Sequence, residues 1–187
     1  AYQKALKALM KPCVPPEFLG FDSMCRNSPR IRTLNLKSQD FGVICRYKQY
    51  SYEEFWQIFC DGIRRNTHLQ VLELERFFFF ELRDKKYLAQ FAAAFADNKS
   101  IVQLSLALNF LKNIDPLIDA LQKRQMLLTN LDLSNNELEP HSISLLTKWV
   151  KKIHHKIEID MSSPEALDII LVLAMRDNPN ISLLGRA

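Results

Sequence analysis

The stretch Leu128–Leu138, LTNLDLSNNEL, limits what this chain can fold into more than any other. Leu128, Leu131 and Leu133 stand at positions 1, 4 and 6 of a frame that Asn136 at position 9 and Leu138 at position 11 complete. Leu131 and Leu133 alternate with polar Asn130, Asp132 and Ser134, so the segment reads as a short strand with one buried face. An asparagine just past a bent strand end can bond backbone groups that dehydration would leave unpaired. Leu138 then returns the chain to the core.

The frame recurs. Ile31, Leu34 and Leu36 take positions 1, 4 and 6 of a first unit, and Leu69, Leu72 and Leu74 those of a second. Ile101, Leu104, Leu106, Asn109 and Leu111 fill the whole frame in a third, and the opening stretch is the fourth. A fifth is degenerate, with Ile157 and Ile159 at positions 4 and 6 and His154 in place of the first leucine. A sixth starts at Ile181, puts Leu184 at position 4 and breaks off at Arg186. Between strands the apolar spacing turns helical. Tyr52–Arg65 carries Phe55, Trp56, Phe59 and Ile63, with Ser51 as N-cap and Glu54 three residues on. Leu82–Asp97, Ile114–Gln125 and Ser142–Ile153 follow the same pattern. Ser163, Pro164 and Glu165 open a fifth helix whose body, ALDIILVLAM, is apolar nearly all round and expects burial on more than one face.

A strand–loop–helix unit with a first-leucine spacing of about 27 residues in the later units resembles the leucine-rich repeats, and helices of this length resemble their ribonuclease-inhibitor-like subclass. That subclass tends to place an asparagine three residues before the first leucine, where Asn66, Asn98 and Asn178 stand, each ending a helix. Asparagine tolerates the left-handed conformation that terminates helices, which is the role expected of them. The resemblance spans residues 27–187, with departures at Phe77 and Ser162, which hold position 9, and at Gln39–Tyr50, which reads as an inserted loop. It implies an α/β solenoid, a horseshoe arc with a parallel sheet on the concave face and helices on the convex face. Residues 1–26 are expected to form a helical N-terminal cap, its helix over 1–11 ended by Pro12, Pro15 and Pro16. A terminal cap shields one layer of core from water.

A hydrophobic share of 48% with 25% charged residues reads as an ordinary soluble domain, and 187 residues suffice for a sizeable core. The longest apolar run, Ala166–Met175, is interrupted by Asp168 and too short to span a bilayer. The chain starts at an alanine and ends inside an expected strand, as an excised domain would. Cys13, Cys25, Cys45 and Cys60 form no CxxC pair, which removes zinc ribbons and redox motifs. A disulfide among them stays open, and free buried thiols in a reducing compartment are the favoured reading.

No catalytic constellation stands out, so no enzyme, cofactor or metal is expected. His68, His141, His154 and His155 make no HExxH pattern, and His154–His155 beside Lys151, Lys152 and Lys156 read as a solvated basic patch rather than a metal site. Only 4 glycines occur and no phosphate loop exists. Cys60 lies among aromatics and reads as core. Binding is the expected function.

A solenoid binds through its concave sheet, so the residues alternating with the leucines are the candidate site. Positions 3, 5 and 7 give Thr33, Asn35, Lys37; Val71, Glu73, Glu75; Gln103, Ser105, Ala107; Asn130, Asp132, Ser134; and Lys156, Glu158, Asp160. Glu73, Glu75, Asp132, Glu158 and Asp160 thus share one surface although the chain carries a net charge of +4. Arg64, Arg65, Lys85, Lys86, Lys123, Lys148, Lys151 and Lys152 fall on helices or their ends. The acidic inner face fits a basic segment of a protein partner. Such strands also need charged residues for solubility alone, and both readings stand. Phe77–Phe80 cannot all be buried, and Phe78 and Phe80 either pack on the inserted loop or form a rim contact. The basic convex side could meet anionic lipid at the membrane surface, while nucleic acid is disfavoured because no aromatic residues interleave the lysines.

Ribonuclease-inhibitor-like repeats occur in the inhibitor itself, in Ran GTPase-activating proteins, in innate-immune receptors and in secreted bacterial effectors. The irregular units, scarce glycine and abundant phenylalanine resemble the effectors most, which implies the cytoplasm of a host cell. A GTPase-activating role is the alternative, with Arg76 and Asn109 as the available residues.

Overall fold

A computed structural model of the chain describes residues 16–77, 85–124, 127–161 and 177–183. Six short strands form one open sheet in chain order: β1 (Thr33–Asn35), β2 (Val71–Glu73), β3 (Gln103–Ser105), β4 (Asn130–Asp132), β5 (Ile157–Asp160) and β6 (Ile181–Leu183). Every neighbouring pair is parallel. Parallel neighbours need a crossover, and the described crossovers are helical: α2 (Ser38–Lys48) and α3 (Tyr52–Arg65) between β1 and β2, α4 (Lys85–Asp97), α5 (Asp115–Lys123) and α6 (Pro140–Val150). A further helix, α1 (Pro16–Cys25), precedes the sheet and packs on α2, α3 and β1.

The register lines up like with like. Leu34, Leu72, Leu104, Leu131, Ile159 and Leu183 pair across the sheet. Leu34, Leu72, Leu104, Leu131 and Ile159 are at most 2% exposed, and so are Leu36, Leu74, Leu106 and Leu133 two positions on. These two rows face successive helices that pack side by side, α3 on α4, α4 on α5, α5 on α6. The core between them is one cluster from Phe18 to Met161. At its thick end an aromatic stack runs through Phe21, Phe55, Phe59, Phe91 and Phe95, each ring on the next. At Gly62 α3 comes close to α1: a Cβ there would meet the Cys25 Sγ at 3.2 Å and the movable methyl of Met24.

Local signals placed α3 as expected: Ser51 Oγ accepts from the Glu54 N–H, and the Glu54 carboxylate accepts from the Ser51 N–H at 2.8 Å. Four expectations are corrected. Gln39–Tyr50 is not a loop: α2 spans Ser38–Lys48, started by the Asp40 carboxylate, which accepts from the Lys37 N–H, and stopped by Gln49 at φ 57°. Pro16 does not end a helix but stands first in α1, where a missing N–H costs nothing. In β5, Ile159 and not Ile157 pairs with Leu131, so Ile159 holds position 4 and buried Met161 holds position 6. In β6, Leu183 rather than Leu184 pairs with Ile159. The helix expected over 1–11 and the one opened by Ser163 lie outside the described residues, as do Phe78 and Phe80.

Asparagines hold the units together, by a mechanism other than the left-handed one expected. Asn66 closes α3 at φ −73° and ψ 131°, an extended conformation. Its side chain does the work: Oδ1 accepts from the His68 and Leu69 N–H groups, and Nδ2 donates to the Met24 carbonyl 2.9 Å away. Asn98 repeats this one unit on, accepting from Ser100 and Ile101 and donating to the Ile63 and Asn66 carbonyls. Asn178 donates to Val150 and Ile153. A second ladder runs at position 9. Asn136 accepts from the Asn109 and Leu111 N–H groups and donates to the Leu106 and Leu133 carbonyls, while Asn109 donates to Leu74 and Ala107. In the second unit Phe77 takes that place, 1% exposed, its ring 5.2 Å from Phe59 and 6.2 Å from Trp56.

Candidate functional site

Because one face of the sheet is core, the alternate residues of the same strands stand on the other face. The register makes them rows. Thr33, Val71, Gln103, Asn130, Glu158 and Ser182 form one; Asn35, Glu73, Ser105, Asp132 and Asp160 form the next. Neighbours within a row are about 4.8 Å apart, close enough for side chains to bond directly. They do. Asn35 Nδ2 donates to the Glu73 carboxylate at 2.6 Å, Ser105 Oγ to Asp132 at 2.9 Å and Asn130 Nδ2 to Glu158 at 3.0 Å. Lys37 reaches Glu75 at 3.8 Å.

The candidate residues divide accordingly. Lys37, Glu73, Glu75, Gln103, Ser105, Asn130, Asp132, Glu158 and Asp160 stand on the sheet face, exposed or partly so. Ser134 does not join them as a contact: it is 6% exposed, tucked where its N–H donates to Asp132. Lys156 is also displaced, since the shifted register of β5 puts Glu158 and Asp160 at positions 3 and 5 and leaves Lys156 exposed before the strand. The acidic character of the face is thereby stronger than the sequence implied. Glu73, Glu75, Asp132, Glu158 and Asp160 lie on three of its strands or strand ends, β2, β4 and β5. Glu73, Asp132 and Glu158 keep lone pairs beyond the bond each accepts from its neighbour.

Held in a row, these side chains lose rotamer freedom before any partner arrives, which lowers the entropic cost of binding. What they offer chemically is acceptors for cationic donors. Among the described residues no group of His, Cys, Asp and Glu could hold a metal ion. Cys25, Cys45 and Cys60 are free thiols. Burial pushes Cys60 up to about 12 and Cys45 up to about 11, away from the thiolate a nucleophile needs. Cys25, also about 12, is raised first by burial and then by Asp22. Of the two residues considered for GTPase activation, Asn109 is 0% exposed and spent on backbone bonds. Arg76 is at the surface, at φ 52°.

Arg124 is a residue that the repeating frame does not single out. It caps α5 in the place that Asn66 and Asn98 take after α3 and α4, is 7% exposed, and donates to the Phe95 carbonyl at 2.7 Å and the Ile101 carbonyl at 2.5 Å. Its guanidinium lies 3.8 Å from the Phe95 ring centre, and burial draws it down to about 10. The missing asparagine before Leu128 was the signal that something else must serve there. The basic helix residues Arg64, Arg65, Lys85, Lys86, Lys123, Lys148, Lys151 and Lys152 are all exposed. Among the described residues no helix is long and apolar enough to cross a membrane.

No family model matches the chain, and no curated protein matches it. Among solved structures, that of leiomodin-1 actin-binding site 2 is similar, with a TM-score of 0.64 over 88% of this chain and 88% of that one, at 16% sequence identity. At that identity the likeness is one of fold.

Proposed function

We propose that the chain is a leucine-rich-repeat domain of the ribonuclease-inhibitor-like kind, a short solenoid that binds a protein partner through the open face of its sheet. The observation that carries this reading is the rows of pre-bonded polar side chains on that face, with Glu73, Glu75, Asp132, Glu158 and Asp160 among them. The partner presents a basic segment, because lysines and arginines are the groups that answer five carboxylates. Support for the repeat comes from the two asparagine ladders and from leucines in matching register. The name of the leiomodin-1 fragment makes actin a first partner to assay. The setting proposed is cytoplasmic, that of a host cell if the domain belongs to a secreted effector.

The test is charge reversal. Glu73→Lys, Glu75→Lys and Asp132→Lys are made together, and proteins captured from lysate, and actin in co-sedimentation, are compared with those held by the unaltered chain. Loss of capture with an unchanged unfolding midpoint supports the reading. Equal capture by both would mean that the carboxylates serve solubility only.

A further inference from the structure

Between the C-terminal ends of α5 and α6 lies a cleft of about 470 Å³. Its walls are Leu121, Leu128, Trp149 and Ile153, none more than 9% exposed, and Leu127 stands at the mouth, 53% exposed. A single exposed leucine needs no explanation, but this one continues a recessed apolar floor. Gln122, Arg124, Lys152, His154 and His155 complete the lining, which among the described residues contains no acidic side chain. Lys148, Lys151 and Lys156 are exposed close by in the chain. Elsewhere the cations Lys37, Arg64, Lys86 and Lys112 have carboxylate neighbours, whereas no ion pair of the described residues involves the lysines around this cleft.

We propose that this cleft is a second docking site, for an acidic peptide segment carrying a leucine- or phenylalanine-sized side chain. The apolar side chain enters beside Leu127 and Trp149, and flanking carboxylates meet Lys152 and its neighbours. Its volume is within the range of pockets that accept such groups. A peptide fits better than a bilayer, because the apolar surface is recessed and only an inserted side chain reaches it. Nucleic acid fits less well, since Trp149 at 8% exposure offers no ring for bases to stack on. The site lies among the helices, apart from the sheet face, so the two surfaces would take partners of opposite charge.

The probe is a displayed library of random linear peptides, selected on the full chain. An enriched peptide is then synthesised and titrated while tryptophan emission is followed. Trp149 lines the cleft, Trp56 is 1% exposed in the core, and Trp149→Phe should remove the signal. The expected result is enrichment of Asp and Glu around a Leu or Phe. Affinity should fall about tenfold or more in Lys152→Glu and in Leu127→Ser, both at exposed positions, and stay unchanged in Glu73→Lys. Peptides without acidic enrichment, or peptides indifferent to both substitutions, overturn the proposal. So does a selection that enriches nothing, and if phosphatidylserine vesicles then bind the unaltered chain and not Lys152→Glu, the patch is a membrane contact instead.

Discussion

The asparagines at the helix ends are the residues on which the units depend. Asn98 is 2% exposed and joins two units through four backbone partners. A buried N–H or carbonyl left unmet costs about 1–3 kcal/mol. Asn98→Ala orphans the Ser100 and Ile101 N–H groups at once, so it should lower stability by about 3 kcal/mol in urea unfolding. A loss well under 1 kcal/mol would mean that water or backbone shifts satisfy those groups. Arg124 fills the same structural need with a charge and stays protonated at neutral pH, its lowered value of about 10 notwithstanding. The sequence pattern revealed the asparagines but not their mechanism, because a helix-ending asparagine suggests a left-handed residue unless the partners of its side chain are known. Left-handed residues do occur, at the shared position 8: Arg76, Leu108 and Asn135 at φ 52–58°. No common residue type marks that place, so no pattern announced it.

Elements were legible where their signals are local. The start of α3 follows from Ser51 and Glu54, whose reciprocal bonds lie within four residues. Ser51→Ala should cost about 1 kcal/mol at neutral pH, read from the shift in the unfolding midpoint. The Ser51 N–H and then its hydroxyl hold the Glu54 carboxyl below its usual 4.5. A carboxyl depressed in the folded state adds stability above its unfolded value and loses it as pH falls through the folded one. The difference between Ser51→Ala and the parent should therefore narrow below pH 4.5; because alanine keeps the backbone N–H, a constant difference would mean that the Ser51 hydroxyl contributes nothing through Glu54. By contrast, the apolar spacing sets β5 two residues out of its true register. Strand alternation has period 2, so a slip from Ile157 to Ile159 leaves every buried and exposed assignment intact, and only pairing with Leu131 settles it. Glu158 and Asp160 consequently stayed on the sheet face while Lys156 dropped off its end. The sequence does not announce α2, because its start depends on an Asp40 carboxylate reaching back to Lys37, a weaker signal than a serine cap.

For the molecule as a whole, chain-order pairing means that each strand is supported only by its immediate neighbours, and the two edges are unlike. β1 lies under α1, and Leu34 and Leu36 are at most 2% exposed. At the other edge Ile181 of β6 is only partly buried, although it pairs with Ile157, which is 2% exposed. Amides open with a free energy set by the contacts broken in the least costly local unfolding. Those between β5 and β6 should thus exchange with solvent deuterium faster than those between β2 and β4, with β1 close to the centre in spite of being an edge strand. Leu104→Ala separates this gradient from ordinary fraying. It leaves a cavity in a 1%-exposed position at the middle of the sheet, costing about 2–5 kcal/mol, and should raise exchange on both sides of β3. If β6 instead exchanges in step with β3 in the parent and in Leu104→Ala, the sheet opens as one cooperative body, and neighbour-limited support is the wrong description.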